Sequence, residues 1–432
     1  MADSSTATEK KSWKATASVS LTNYLDSGSI VAGASGLTLW AKQLNLSSLQ
    51  VGLLGAISAN AFGSAIGALI GGRLADKYGR KFIYTYNMLV YMLGVLIIMF
   101  SMNFPMLLIG FFITGIAVGI GVPASWTYIS EISDESNRAK HIGVSQFAWS
   151  LGPAIIFILG IIFSPLGLLG NRIIFASLFI VAFIAWMLQR QLNESKIWEE
   201  EKKKQAEAAK TGKGKSYHPY KQLFANAVSL KSLLFLVGVY MFWNLVAGAM
   251  GFFMPFVYST VGGLTNLQAN LLQAVLWIFT ALATYAIFVP LGDKVSQRGL
   301  FFVGAALALF SWIVLTFAGM NWAALWIFVV TWGISAGIGA QAFYALWATE
   351  LFPTKVRGAS QGIMFFLVRG SAGIWSIIFP TILTSLGFKV AGTFMIVLLL
   401  LSLLIGVIWT PKTRGKSLKQ ISKERYGTTI DD

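Results

Sequence analysis

Along this chain, long apolar runs alternate with short polar connections. Twelve runs stand out, at residues 16–41, 49–71, 82–101, 104–130, 142–163, 172–189, 232–259, 268–291, 300–318, 322–348, 359–384 and 390–410. Each is close to the ~20 residues that carry a helix across a hydrocarbon core. The pattern predicts an all-α polytopic membrane protein with twelve transmembrane helices. Composition agrees: 56% of residues are hydrophobic and only 12% charged, against about 25% charged in soluble domains. The 32 Phe and 15 Trp exceed what a globular interior needs, so lipid is the solvent for most of the chain.

Charge then sets the orientation. The formal net charge of +16 would suggest nucleic acid if it formed one patch. With both tails inside, four of the 33 Lys and Arg stand apart (Lys42, Arg172, Arg369 and Lys389), and the other 29 fall in inner connections. That asymmetry is the positive-inside rule. It predicts cytoplasmic termini and a plasma or inner membrane, with the bilayer and not nucleic acid as the partner. Met1–Lys14 is polar and lacks the short apolar core and cleavage site of a signal peptide. Cysteine is absent, and His141 and His218 lie in polar connections without further ligands, so neither a metal nor another cofactor is expected.

The chain also repeats itself. Glu131 precedes Arg138 by seven residues, and Glu350 precedes Arg357 by seven, with 219 residues between the copies. Asp76 and Asp293, in similar loops, are 217 apart, and Asn193-Glu194-Ser195 and Pro411-Lys412-Thr413 close the two copies 218 apart. The expected organisation is an N-tail over 1–15, a six-helix bundle over 16–190, a linker over 191–231, a second six-helix bundle over 232–410 and a C-tail over 411–432. Two pseudo-symmetric bundles suit a carrier that rocks one half against the other. Within the linker, a surface helix near Glu194–Ala209 and a flexible stretch around Gly212–Lys215 are predicted.

Three segments carry a family resemblance. Gly71-Gly72-Arg73-Leu74-Ala75-Asp76-Lys77-Tyr78-Gly79-Arg80-Lys81 is similar to the major facilitator signature between helices 2 and 3. Glu350-Leu351-Phe352-Pro353-Thr354-Lys355-Val356-Arg357-Gly358 resembles the signature after helix 10 of the sugar-transporter-like branch, and Pro411 to Leu418 resembles that branch's closing motif. The resemblance implies the major facilitator fold and alternating access. It also implies a latch of cytoplasmic ion pairs in which Arg73, Arg80, Arg138 and Arg357 meet Asp76, Glu131, Glu194 and Glu350, with Asp293 and Arg298 as second-half counterparts. Asp76 also suits a helix amino terminus, where the dipole favours a carboxylate. Lys412 departs from the motif, which has an acid there.

Two ionisable residues fall deep inside spans. Asp26 is twelve residues beyond Lys14, and Arg369 twelve beyond Arg357. At ~1.5 Å per residue both lie about 18 Å from one edge, where a charge costs on the order of 3 kcal/mol unless paired or hydrated. Asp26 is the candidate for proton coupling. Arg369 has two readings, as the counter-ion of Asp26 or as the anchor of an anionic substrate.

The remaining candidates are substrate contacts. Gln146 follows Arg138 by eight residues, where the resembled sugar porters place a hydroxyl-binding Gln. Asn23, Asn60, Trp126, Trp149, Asn244, Gln273, Gln341, Tyr344, Trp347 and Trp375 complete a polar and aromatic set suited to polyols. Where hexose porters carry a Gln pair and an Asn in helix 7, this chain has Ala247, Gly248 and Phe253. The reading is a secondary transporter, not an enzyme, acting as a monomer. It moves a small hydrophilic solute, a polyol or non-standard sugar of inositol type, with a proton. A small organic acid bound by Arg369, or facilitated uniport, stands as the alternative.

Overall fold

The computed structural model describes residues 2–58, 61–134, 136–210 and 219–427. The first half comprises α1 (Ala2–Gln43), α2 (Ser48–Ile57), α3 (Phe62–Tyr78), α4 (Arg80–Met99), α5 (Phe104–Ile132), α6 (Arg138–Phe163) and α7 (Leu168–Gln189). Two short helices follow, α8 (Lys196–Lys210) and α9 (Pro219–Ala225). The second half holds α10 (Ala227–Thr260), α11 (Asn266–Ala283), α12 (Val289–Leu291), α13 (Gln297–Ala318), α14 (Trp322–Ile338), α15 (Ala340–Glu350), α16 (Thr354–Leu386) and α17 (Phe388–Ile408), and α18 (Leu418–Tyr426) ends the described chain. Backbone in lipid must pair its own N–H and C=O groups, which is why the spans are built from helices.

Among the described residues, 11 helices are long and apolar enough to cross a membrane. The first predicted span, inside α1, falls short of that apolarity. Its Ser18, Ser20, Thr22, Asn23, Asp26, Ser27 and Ser29 are all buried. They face protein, so α1 serves as the twelfth span without a lipid-like composition. Three predicted spans are interrupted. The second is split between α2 and α3. The eighth carries a π-helical stretch at Thr284–Phe288 just before Pro290, whose ring and missing N–H disrupt a regular ladder. The tenth breaks at Gly339, where a Cβ added to Gly304 would lie 2.8 Å from the Gly339 Cα. There α13 and α14 pack backbone to backbone.

The repeat extends into capping chemistry. Ser47 with Gln50 forms a capping box at α2, and Thr265 with Gln268 forms one at α11. Asn103 caps α5 and Asn321 caps α14 in the same way. Both pairs recur at a spacing of 218 residues. Each cap satisfies first-turn N–H groups that a helix cannot pair itself.

Small residues set the distances between helices. Gly119 of α5 lies against the Ser64 carbonyl of α3, and a Cβ there would collide with it. The predicted linker helix is α8, close to its expected range. The stretch Gly212–Lys215 lies outside the described residues. Two helices at the charged face had no clear sequence signal. In α9, Leu223 is buried and Tyr220 donates to the Leu69 carbonyl at 2.6 Å. In α18, Leu418 and Ile421 are buried and Tyr426 donates to the Leu351 carbonyl at 2.9 Å.

Gly119→Val is expected to cost about 1–3 kcal/mol of stability, the usual cost of overpacking a tight interface. Denaturation in detergent beside the parent protein measures it, and an unchanged midpoint would remove the close α3–α5 approach from the account.

Candidate functional site

Where the halves meet, a buried seam of charge lies at the end of the bundle that carries α8 and α18. Glu131, in the last turn of α5, accepts from Arg80 Nη2 and from Arg357 Nη1, each at 2.9 Å. Arg80 is its own half's cation and Arg357 comes from α16, so one carboxylate joins both halves. Arg138 repeats the pattern in reverse: its Nη1 reaches Glu350 Oε1 at 3.0 Å and the Lys416 carbonyl at 3.4 Å. The closing motif thus touches the seam through its backbone, although Lys412 replaces the acid.

The two loop aspartates are exchanged between halves. Asp76 accepts from the Gly358 and Ala359 N–H groups near the start of α16, at 3.0 and 2.6 Å. Asp293 accepts from the Ala139 and Lys140 N–H groups in the first turn of α6, both at 3.0 Å. Each half lends a carboxylate to the positive end of a helix in the other. Burial raises the Asp293 carboxyl pKa, and those two N–H bonds oppose the shift. Such proximity needs glycine: a Cβ on Gly72 would strike the Gly358 carbonyl, and one on Gly362 the Ala68 carbonyl.

Not every expected pair is found here. Arg73 and Arg298 are exposed and make no ion pair among the described residues. Glu194 engages backbone instead of a guanidinium, accepting from the N–H groups of Arg80 and Lys81 in the first turn of α4, both at 3.0 Å. His141, read from sequence as a loop residue, is buried in the first turn of α6. Its ring stacks on Trp13 at 3.6 Å and shares a 2.7 Å hydrogen bond with Thr16. His218 and Asn60 lie outside the described residues.

Midway along the spans, Asp26 and Arg369 meet. Arg369 Nη2 lies 3.1 Å from Asp26 Oδ2, with side chains 3% and 1% exposed. Trp149 of α6 donates its indole N–H to the same Oδ2 at 2.8 Å. Phe365 lies under the guanidinium, 4.8 Å from ring centre to Cζ. Beside this pair is a cavity lined by Ser27, Trp149, Trp243, Asn244, Gln341 and Arg369 among others, with about 30 Å³ open to water centres. At ~10–15 Å³ per water, that is room for about two waters and not for a sugar.

Around the cavity, Gln341 Nε2 donates to Gln146 Oε1 at 3.0 Å across the seam. Asn23 Nδ2 donates to Ser125 Oγ at 2.9 Å. Trp126 packs edge-on against Tyr344, which stacks on Tyr240 at 4.1 Å. Among the sequence-predicted contacts, Asn23 Oδ1, Trp126 Nε1, Gln146 Nε2, Asn244 Oδ1, Gln273 Oε1, Tyr344 Oη and Trp375 Nε1 are buried without a protein partner, and Asn244 is the one of these that lines the cavity. Trp347 stands apart. Its N–H is bound by Gln297 Oε1 at 2.9 Å, and its ring packs among Phe235, Phe301 and Phe343 within the second half. Sequence reading missed Ser27, Tyr240 and Trp243. Tyr240 and Trp243 precede Asn244 by four residues and one, and that aromatic pair on α10 was the available signal.

Twelve spans in two repeats, ion pairs that bridge the halves and a small cavity beside a buried ion pair at mid-depth define a multi-pass membrane carrier. Residues 16–377 match the sequence profile of the Major Facilitator Superfamily. The chain is 46% identical over 415 residues to the minor myo-inositol transporter IolF of Bacillus subtilis (strain 168), covering 96% of this chain and 94% of that protein. The solved proton:xylose symporter XylE, bound to 6-bromo-6-deoxy-D-glucose, superposes with a TM-score of 0.81 at 18% identity, covering 96% of this chain and 99% of that one. XylE from E. coli in its inward open conformation superposes with a TM-score of 0.66 at 19% identity, covering 95% and 99%. The chain belongs to the Major Facilitator Superfamily, and these relatives are transporters, not enzymes.

Removing the Arg357 guanidinium breaks a buried pair, a change that generally costs about 3–5 kcal/mol in the paired state. The sequence has no cysteine, so spin labels on Lys81→Cys and Arg298→Cys report the separation of the halves without background. Arg357→Ala is expected to add a longer-distance population to that measurement. An unchanged distance distribution would mean the seam does not depend on this pair.

Proposed function

We propose that the chain is a proton symporter of a polyol of inositol type, working across the plasma membrane with both termini in the cytoplasm. One observation carries the reading: Asp26 and Arg369 pair across the two halves beside a cavity of amides and aromatic rings. An ionised carboxylate there is neutral as a pair and tolerable in the membrane. Protonation discharges Asp26 and leaves the guanidinium to donate to solute hydroxyl oxygens instead. The amides of Gln146, Gln341 and Asn244 donate to and accept from hydroxyls. Trp243 lines the cavity as an aromatic wall for a ring.

Between the two readings of Arg369, its contact with Asp26 favours the counter-ion. A carboxylate solute would have to compete with a carboxylate already in place. A neutral polyol faces no such competition, and the likeness to a myo-inositol transporter supports that choice. In the proposed cycle, the charged face is the cytoplasmic one. Its seam, closed here, opens to release solute and proton together.

The test is uptake of labelled myo-inositol into liposomes under an imposed inward proton gradient, with polyols and carboxylates as competitors. Polyols are expected to compete, and accumulation to vanish when the gradient is collapsed. Asp26→Asn is expected to lose gradient-driven accumulation at least about tenfold while retaining exchange of solute for solute. Competition by carboxylates alone would reassign Arg369 as the substrate anchor. Full accumulation by Asp26→Asn would leave a mechanism without this proton site.

A further inference from the structure

Trp149 joins two contacts that point in different directions. Its N–H is donated to Asp26 Oδ2 at 2.8 Å, within its own half. Its ring packs edge-on against Trp277 of α11, in the other half, with centroids 5.3 Å apart and planes at 65°. The two rings meet beside the cavity, and Trp149 is part of its wall. From Arg138 to Trp149, α6 climbs eleven residues, or about 16 Å. From Asp293, the chain of α11 and its extension climbs sixteen residues to Trp277. By the α6 count the contact lies close to the depth of Asp26, itself about 18 Å from the same edge, so it joins the two halves beside the cavity.

We propose that Trp149 makes solute entry conditional on protonation of Asp26. The inference rests on the reading of Asp26 as the proton site. While Asp26 is ionised, its charge-assisted hydrogen bond fixes the indole against Trp277 and keeps the cavity at its present small volume. Protonation puts the proton on the carboxyl group, discharges the acceptor and weakens that bond by about half. The indole is then free to swing from Trp277 and admit a solute. A ring held at one end by a titrating carboxylate and at the other by an aromatic partner is a two-position element, and the proton biases its equilibrium. Trp149 acts through Asp26 and is a positioning residue.

The groups that share this environment are few. Arg369 of α16 pairs with Asp26 directly. Tyr91 of α4 is reached through a 2.6 Å hydroxyl contact with Ser29, one turn along α1. Tyr240 of α10 and Tyr24 of α1 complete the titratable neighbours.

The experiment measures apparent affinity for myo-inositol against pH in proteoliposomes, together with gradient-driven accumulation and solute exchange. In the parent protein, affinity is expected to weaken as pH rises and Asp26 ionises. Trp149→Phe keeps an aromatic ring, smaller than the indole, and removes the N–H. It is expected to flatten that pH dependence to within about threefold and to lower accumulation about tenfold, with exchange retained. Trp277→Leu leaves the N–H bond intact and removes the other contact, so it is expected to flatten the same profile and gives the answer should Trp149→Phe fail to fold. Parent-like pH profiles in whichever of these variants folds would overturn the inference. Asp26→Asn separates the two levels: if it too behaves as the parent, the proton site itself is wrong. If it alone loses the pH dependence, Asp26 stands and the role of Trp149 falls.

Discussion

A charge inside a bilayer has to be matched, and in this protein the matching partner usually comes from the opposite half. Glu131 and Arg357, Arg138 and Glu350, and Asp26 and Arg369 all bridge the seam. The two loop aspartates do the same with backbone, each held at a helix of the other half. Desolvation makes an unpaired partner costly. Separation of the halves is therefore tolerable only where water, a proton or a solute takes over the vacated contact. That single constraint turns a static ion-pair network into a device with defined alternatives.

The duplication supplies the geometry for this exchange. Capping residues, loop aspartates and seam ion pairs all recur at nearly one spacing, so each half presents to the other what the other presents to it. Symmetry ends at the centre. Asp26 has no acidic counterpart on α10, and Arg369 no basic one on α6. The seam at the charged face is built from repeated parts, whereas the central pair belongs to one copy of each. In the proposed cycle, opening and closing use the shared architecture, and chemistry resides in what differs between the halves.

Most of the fold was legible because bilayer thickness imposes one length on every span and positive charge marks one face. Interruptions were harder to read. Gly339 breaks its helix through an approach to Gly304 that is distant in sequence, and α1 hides a polar composition by facing protein. The shared depth of Asp26 and Arg369 was legible by counting residues. Which half of the set would line the cavity was not, since Trp347 and Trp243 look alike in sequence and differ only in what surrounds them. Arg73 and Arg298 illustrate the same limit at the seam: a motif specifies residue types, while the packing of the other half decides which of them become buried.

On the proposed reading of Asp26 as the proton site, the central pair also accounts for a neutral solute and a proton travelling together. With Asp26 ionised, the pair carries no net charge and the empty carrier pays little to close around it. A proton alone would leave the Arg369 guanidinium without its carboxylate in a cavity with room for about two waters. A solute alone would find the guanidinium and the indole already engaged. Only the two together offer hydroxyl oxygens to the freed guanidinium and amides while the carboxyl is neutral. Differential stabilisation of that doubly loaded state over either singly loaded one is all that coupling requires. A polyol, with acceptors around its whole ring and no charge of its own, meets the requirement without introducing a second anion beside Asp26.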